Sequence, residues 1–151
     1  MKKILITGGA GFIGSNAAEY FFKRKWKVYV LDNLSRKGSK LNLQRLKKNT
    51  NIIFIKCDIR NFNNLSKTLK KVNPKAIIHA AGQVAVTTSF LNPREDFEIN
   101  ALGTFNLLEA IRINKLKSSI IYTSTNKVYG NLSSNKVKVH KKRYTYKNNT
   151  L

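Results

Sequence analysis

Eight residues near the amino terminus, Thr7-Gly8-Gly9-Ala10-Gly11-Phe12-Ile13-Gly14, have the types and spacing that phosphate binding needs. Phosphate oxygens take backbone N–H groups at close range and gain from the positive end of a helix dipole. Glycines let the chain turn tightly and admit a pyrophosphate with no side chain in the way. An apolar run, Ile4-Leu5-Ile6, precedes the segment, helically spaced residues follow it, and Asp32 ends the next apolar run. A carboxylate there can accept both hydroxyls of a ribose. Strand, glycine triplet, helix and acid in this order point to a dinucleotide, whereas the triplet alone reads as a plain glycine turn. Asp32 favours NAD over NADP, because it repels a 2′-phosphate. Arg36 is the counter-argument, since an arginine there can pair with that phosphate.

Three further residues have reactive groups. Asp58 follows an isoleucine-rich run and either faces the cofactor crevice or caps a helix starting near Asn61. His79 ends the fourth apolar run, where a hydrogen-bonded structural histidine is expected rather than a ligand. Cys57 has only Lys56 as a cationic neighbour and reads as a small buried residue, not a nucleophile. It is the only cysteine, so no intrachain disulfide can form; this fits a reducing cytosol, and a cytoplasmic location is expected. No metal site is expected.

The elements that must position these groups alternate. Strands are predicted at residues 3–7, 27–31, 51–55, 76–79 and 119–123. Helices are predicted at 12–25, 41–48, 63–71 and 93–114. Pro93 sits where a helix can start, and Phe97, Ala101, Phe105 and Leu108 recur at helical spacing behind it. Continuous apolar strands separated by helices imply a parallel sheet covered on both faces, an α/β doubly wound fold of the Rossmann type. From Gly130 the periodicity fades, and the lysine-rich end reads as loop. The expected division is a nucleotide-binding domain over residues 1–130 and a basic, loop-like tail over 131–151.

The 151 residues suit one domain with a real core. A net charge of +22 raises the question of nucleic acid. The basic residues are scattered through every segment and no aromatic-and-basic stacking motif accompanies them, so solvated faces are the preferred reading. The tail is the exception: no acidic residue follows Glu109. The apolar run after Met1-Lys2-Lys3 stops at Thr7, far short of a signal core, and no stretch is long enough to span a bilayer.

Together with Asp58-Ile59-Arg60, His79-Ala80-Ala81-Gly82 and Ser124 through Val128-Tyr129-Gly130, the glycine motif resembles the extended short-chain dehydrogenase/reductase family of NAD-dependent epimerases and dehydratases. Residues 32–38, 82–89 and 124–130 resemble one branch of it, the CDP-tyvelose (CDP-paratose) 2-epimerases. The resemblance covers residues 2 to about 146. It implies that Gly8, Gly11, Phe12, Ile13 and Gly14 hold the pyrophosphate of NAD. Asp32 and Asn33 would bind the adenosine ribose, with Ser35 and Arg36 nearby, and Asp58 and Ile59 would touch adenine. Ala80, Ala81 and Gln83 would line the path to the nicotinamide, supported by Asn100, and Thr123 would join the cofactor site. Thr125 would hydrogen-bond the reacting sugar hydroxyl, with Ser124 the alternative one residue earlier.

The family's chemistry passes a hydride from a nucleotide sugar to NAD and returns it to the other face of the ketone. A tyrosine, with its pKa lowered by a lysine four residues later, takes the hydroxyl proton. No Tyr-x-x-x-Lys occurs among the 151 residues: Tyr20 meets Arg24, Tyr129 meets Ser133, Tyr144 meets Asn148 and Tyr146 meets Thr150. Two readings follow. In the preferred one the chain is the amino-terminal half of an epimerase, truncated after about the fifth strand. Oligomer contacts are then expected only with the missing half, and the apolar surface near Ile120, Ile121 and Val128 is left uncovered. In the other it is a free-standing NAD-binding module; within the first, the resemblance also leaves open another NAD-dependent nucleotide-sugar epimerase or dehydratase, such as a UDP-glucose 4-epimerase. An open reading frame downstream of Leu151 that begins with a Tyr-x-x-x-Lys helix would decide for the first.

Overall fold

The computed structural model describes residues 1–125 and 136–147. Five parallel strands form one sheet in the order β3-β2-β1-β4-β5: β1 (Lys3–Thr7), β2 (Lys27–Asp32), β3 (Ile53–Lys56), β4 (Ala76–His79) and β5 (Ser119–Tyr122). The helices are α1 (Phe12–Lys23), α2 (Ser39–Asn49), α3 (Phe62–Val72), α4 (Val86–Leu91), α5 (Pro93–Phe97) and α6 (Gly103–Ile113). A π-helical turn, Glu98–Leu102, joins α5 to α6.

The two-residue period of a strand deals its side chains to opposite faces. Ile4, Ile6, Val28, Val30 and Ile78 pack with Ala18 of α1 and with Leu43 and Leu46 of α2. Leu5, Leu31 and Ile77 pack with Leu65, Leu69 and Val72 of α3 and with Leu107 and Ala110 of α6. The sheet therefore has a core on each side, which is why its inner strands carry no polar alternation. Each fully buried leucine or isoleucine contributes about 1.5–3 kcal/mol by leaving water. Helix α3 shows the local logic: Asn61 caps it by accepting the Asn64 N–H, Leu65, Leu69 and Val72 face inward, and left-handed Asn73 ends it ahead of Pro74.

Four expectations need correction. The third strand begins at Ile53, two residues later than the isoleucine run suggested. The predicted 93–114 helix is interrupted by the π turn, and its Phe97, Phe105 and Leu108 stripe faces outward, with Phe105 61% exposed. Gly103, Asn106, Leu107 and Ala110 face the core instead, because the small residues allow close approach to Ile59 and α3. The helix α4 was not anticipated. The tail, expected to be loop, contains an antiparallel hairpin, β6 (Val137–His140) and β7 (Arg143–Tyr146). Its register pairs Val139 with Tyr144 and His140 with Arg143 around Lys141-Lys142. No turn glycine or asparagine marks that bend; Lys141 takes the positive φ of 54°.

The expected boundary at Gly130 lies outside the described residues, as do Lys127, Val128 and Tyr129. Among the described residues no helix is long and apolar enough to cross a membrane.

Candidate functional site

The glycine loop leaves β1 at the centre of the sheet, where neighbouring connections run in opposite directions. Such a switch point opens a crevice at the carboxyl ends of the strands. Gly8 has φ +63°, and a Cβ there would lie 2.6 Å from the carbonyl carbon and oxygen of Ala80. Gly14 packs so closely that a Cβ would collide with the Gly8 carbonyl. The Gly11 N–H donates to Gly8 O at 2.9 Å and closes the turn. No side chain caps α1, and no acidic residue sits in its first turn. Its leading amides and dipole are thus available to an anion. Phe12 and Ile13 have exposed side chains and, with Gly14, stand outside the cavity lining; what they offer is backbone.

At the end of β2 the Asp32 carboxylate is held from both sides. Ala10 N donates to Oδ2 at 3.0 Å and Leu34 N to Oδ1 at 2.8 Å. Leu34 turns the loop with φ +62°. Asn33 Nδ2 donates to Asp58 Oδ2 at 2.9 Å, linking the β2 and β3 ends, and Ser35 N donates to Asn33 Oδ1. Asp58 also takes Arg60 N, Nε and Nη2 at 2.8–3.1 Å. The Arg60 guanidinium holds the Asp58 pKa down at about 2. Asn61, not Asp58, caps α3, which resolves that alternative; Asp58 serves the crevice wall. Cys57 is buried against it, and its thiol pKa is raised by burial and by Asp58.

His79, 1% exposed, ends β4 inside a directed hydrogen-bond chain. Thr104 Oγ1 gives its proton to the Asn100 carbonyl at 2.6 Å. It can therefore only accept from His79 Nε2, at 3.1 Å. Nδ1 is then unprotonated and accepts from Thr7 Oγ1 at 2.6 Å, and Thr7 accepts from Ala81 N. Burial lowers the His79 pKa to about 4, so the ring is neutral. It is the structural histidine the sequence led us to expect.

The crevice is a cavity of about 400 Å³. Of the sequence-derived candidates it gathers Gly8 and Gly11; Asp32, Asn33, Ser35 and Arg36; Asp58 and Ile59; and Ala80, Ala81 and Gln83. Asn100 is not in the lining but braces it, donating from Nδ2 to Gln83 O at 3.0 Å and accepting Gln83 N on Oδ1 at 2.8 Å. Thr123 donates to the His79 carbonyl at 2.9 Å. Ser124 and Thr125 follow β5, exposed and outside the lining. The sequence reading missed the wall that Thr88, Asn92, Glu95, Asp96 and Ile99 supply; only the cap signal of Asn92 before Pro93 hinted at it. Asp32, Asp58, Glu95 and Asp96, four of the seven acidic residues, lie in this lining, so the crevice is not the seat of the +22 charge.

The family model of GDP-mannose 4,6 dehydratase matches residues 5–149. A CDP-paratose 2-epimerase from Salmonella typhi is 50% identical over 143 residues, covering 95% of this chain and 42% of that protein. Among solved structures, the UDP-Glc/GlcNAc 4-epimerase of Campylobacter jejuni is 35% identical with a TM-score of 0.79, over 86% of this chain and 39% of that one. The Thermus thermophilus UDP-glucose 4-epimerase, solved in complex with NAD, is 37% identical with a TM-score of 0.67, over 76% and 35%. The chain spans less than half the length of each of these three.

Proposed function

We propose, from the premise that the chain belongs to the GDP-mannose 4,6 dehydratase family, that it forms the NAD-binding portion of a nucleotide-sugar epimerase of the CDP-paratose 2-epimerase kind. The observation that carries this is the Gly8–Asp32 cradle: a glycine whose Cβ would fill the space beside Ala80, an uncapped α1, and a carboxylate fixed at the end of β2. These features fit a dinucleotide. The amides of α1 and of the Gly8–Gly11 turn would hold the pyrophosphate, Asp32 and Asn33 the adenosine ribose, and Asp58 and Ile59 the adenine. Ala80, Ala81 and Gln83, braced by Asn100, would flank the nicotinamide, with Thr123 behind them. When bound, NAD supplies a reversible hydride acceptor.

Thr125, or Ser124 beside it, is assigned to orient the sugar hydroxyl. A hydroxyl orients but does not serve as a base near neutral pH. No Tyr-x-x-x-Lys pair is present in these 151 residues, so the proposal gives this chain the cofactor share of the reaction. That same absence favours the second reading, an NAD-binding module without catalysis. The two share the first experiment: calorimetric titration of the chain with NAD. Binding supports both readings, and no binding overturns both. Adding a separately expressed carboxyl-terminal half then separates them, because recovered epimerisation of CDP-paratose supports the first alone.

A further inference from the structure

Arg36 and Gln83 sit on loops at opposite sides of the glycine loop, one following β2 and the other following β4, and both line the cavity. Arg36 Nη1 donates to Gln83 Oε1 at 2.9 Å. Gln83 is oriented for this bond. Its N–H and C=O are both engaged by the Asn100 amide, and its Nε2 donates to Ala85 O at 3.1 Å. With Nε2 committed to a carbonyl, Oε1 is the end that faces Arg36. Asn100 is held in turn, since its Nδ2 also donates to Asp96 Oδ1 at 3.1 Å. A chain of fixed amide orientations therefore runs from Asp96 through Asn100 and Gln83 to the guanidinium.

Arg36 lies four residues beyond Asp32 on the loop that Leu34 turns with its positive φ. In dinucleotide folds a carboxylate at the end of this strand takes the ribose 2′-hydroxyl, and an arginine close by accommodates a 2′-phosphate. This loop has both groups, with opposite preferences. The Asp32 carboxylate is fixed in place by two backbone amides, whereas the guanidinium is drawn across the cavity to the β4 loop.

We propose that Gln83 is a specificity-determining residue for the dinucleotide: by holding Arg36 toward the β4 loop it withholds the guanidinium from the ribose 2′ position and leaves the choice to Asp32. This rests on the NAD-binding reading above. Gln83 acts here through Arg36 and is a positioning residue.

The test is calorimetric: the dissociation constants of NAD and NADP for the 151-residue chain, for Gln83→Leu, for Arg36→Met and for the double variant. Gln83→Leu is expected to shift the preference toward NADP by about tenfold, the scale of one hydrogen bond to a charged group. The double variant is expected to return to the wild-type ratio, because the released guanidinium is gone. Gln83→Asn, one methylene shorter, keeps the loop polar but falls short of Arg36, and should shift the ratio in the same direction if the leucine variant does not fold. An unchanged ratio in the Gln83 variants, or a shift that persists without Arg36, overturns the inference and leaves the NAD reading standing. A wild-type chain that binds neither dinucleotide overturns that reading, and the inference with it.

Discussion

The Thr104 hydroxyl stands 3.1 Å from Nε2 of His79 and has already given its proton to the Asn100 carbonyl, so the histidine proton resides on Nε2. Nitrogen NMR of the ring should show the neutral Nε2–H tautomer at pH 7. Between the ordinary pKa of 6.5 and the folded value of about 4, the unfolded chain binds the extra proton. His79 therefore contributes its full stabilisation above pH 6.5 and loses it as pH falls toward 4. The loss amounts to about 3 kcal/mol, at 1.36 kcal/mol per pH unit. Chemical denaturation across that window should show it. Asp58 has the same sign in a lower window, its contribution fading only as pH falls from 3.8 through about 2.

Gly8→Ala should be the most damaging small substitution in the loop. It forces a Cβ into the Ala80 backbone and places alanine at φ +63°. A left-handed non-glycine residue alone costs about 1–3 kcal/mol. A lower melting temperature together with lost NAD binding is expected; a variant that binds NAD like wild type contradicts the cradle.

Asp32→Asn should weaken NAD binding about tenfold and narrow the preference over NADP, because a charged acceptor becomes a neutral one. Wild type is expected to bind NAD more tightly than NADP. Equal affinities in the wild-type protein would remove the role given to this carboxylate.

Truncating Leu69, fully buried on the inward face of α3, to alanine should destabilise the fold by about 2–5 kcal/mol. Urea melts at neutral pH provide the measurement, and a loss below 1 kcal/mol would mean that the α3 face is loosely packed.

The 151-residue chain, incubated with NAD and CDP-paratose or UDP-glucose, should yield no epimer. Losing general-base catalysis costs about two to four orders of magnitude. Turnover above a no-protein control that disappears in Thr125→Ala would reveal a base within this chain.

How far the sequence could be read depended on the range of the physics involved. Strands buried on both faces read as unbroken apolar runs, and the glycine loop announced itself because turn, close approach and helix start occupy eight consecutive positions. Periodicity located a stripe at Phe97, Phe105 and Leu108 but not the side it faces; Gly103 and Ala110, with little side chain to register as apolar, face the core. The hairpin at Val137–His140 and Arg143–Tyr146 was hidden because its turn, Lys141-Lys142, carries no glycine or asparagine to mark the bend. The Arg36–Gln83 and Asn33–Asp58 contacts, and the Glu95–Ile99 wall, depend on which loops meet in space.

A π turn holds one more residue per hydrogen-bonded loop than the surrounding α-helix, and Glu98–Leu102 is such a turn. It acts as a phase shifter on a single rod, letting residues on either side of it answer to different partners. Asn100 meets Gln83 at the crevice, while Leu107 and Ala110, on α6, meet the core. Forcing Glu98–Leu102 into α-helical winding with every residue kept would rotate one half against the other by about 100°. The rod could then satisfy the crevice or the core, but not both.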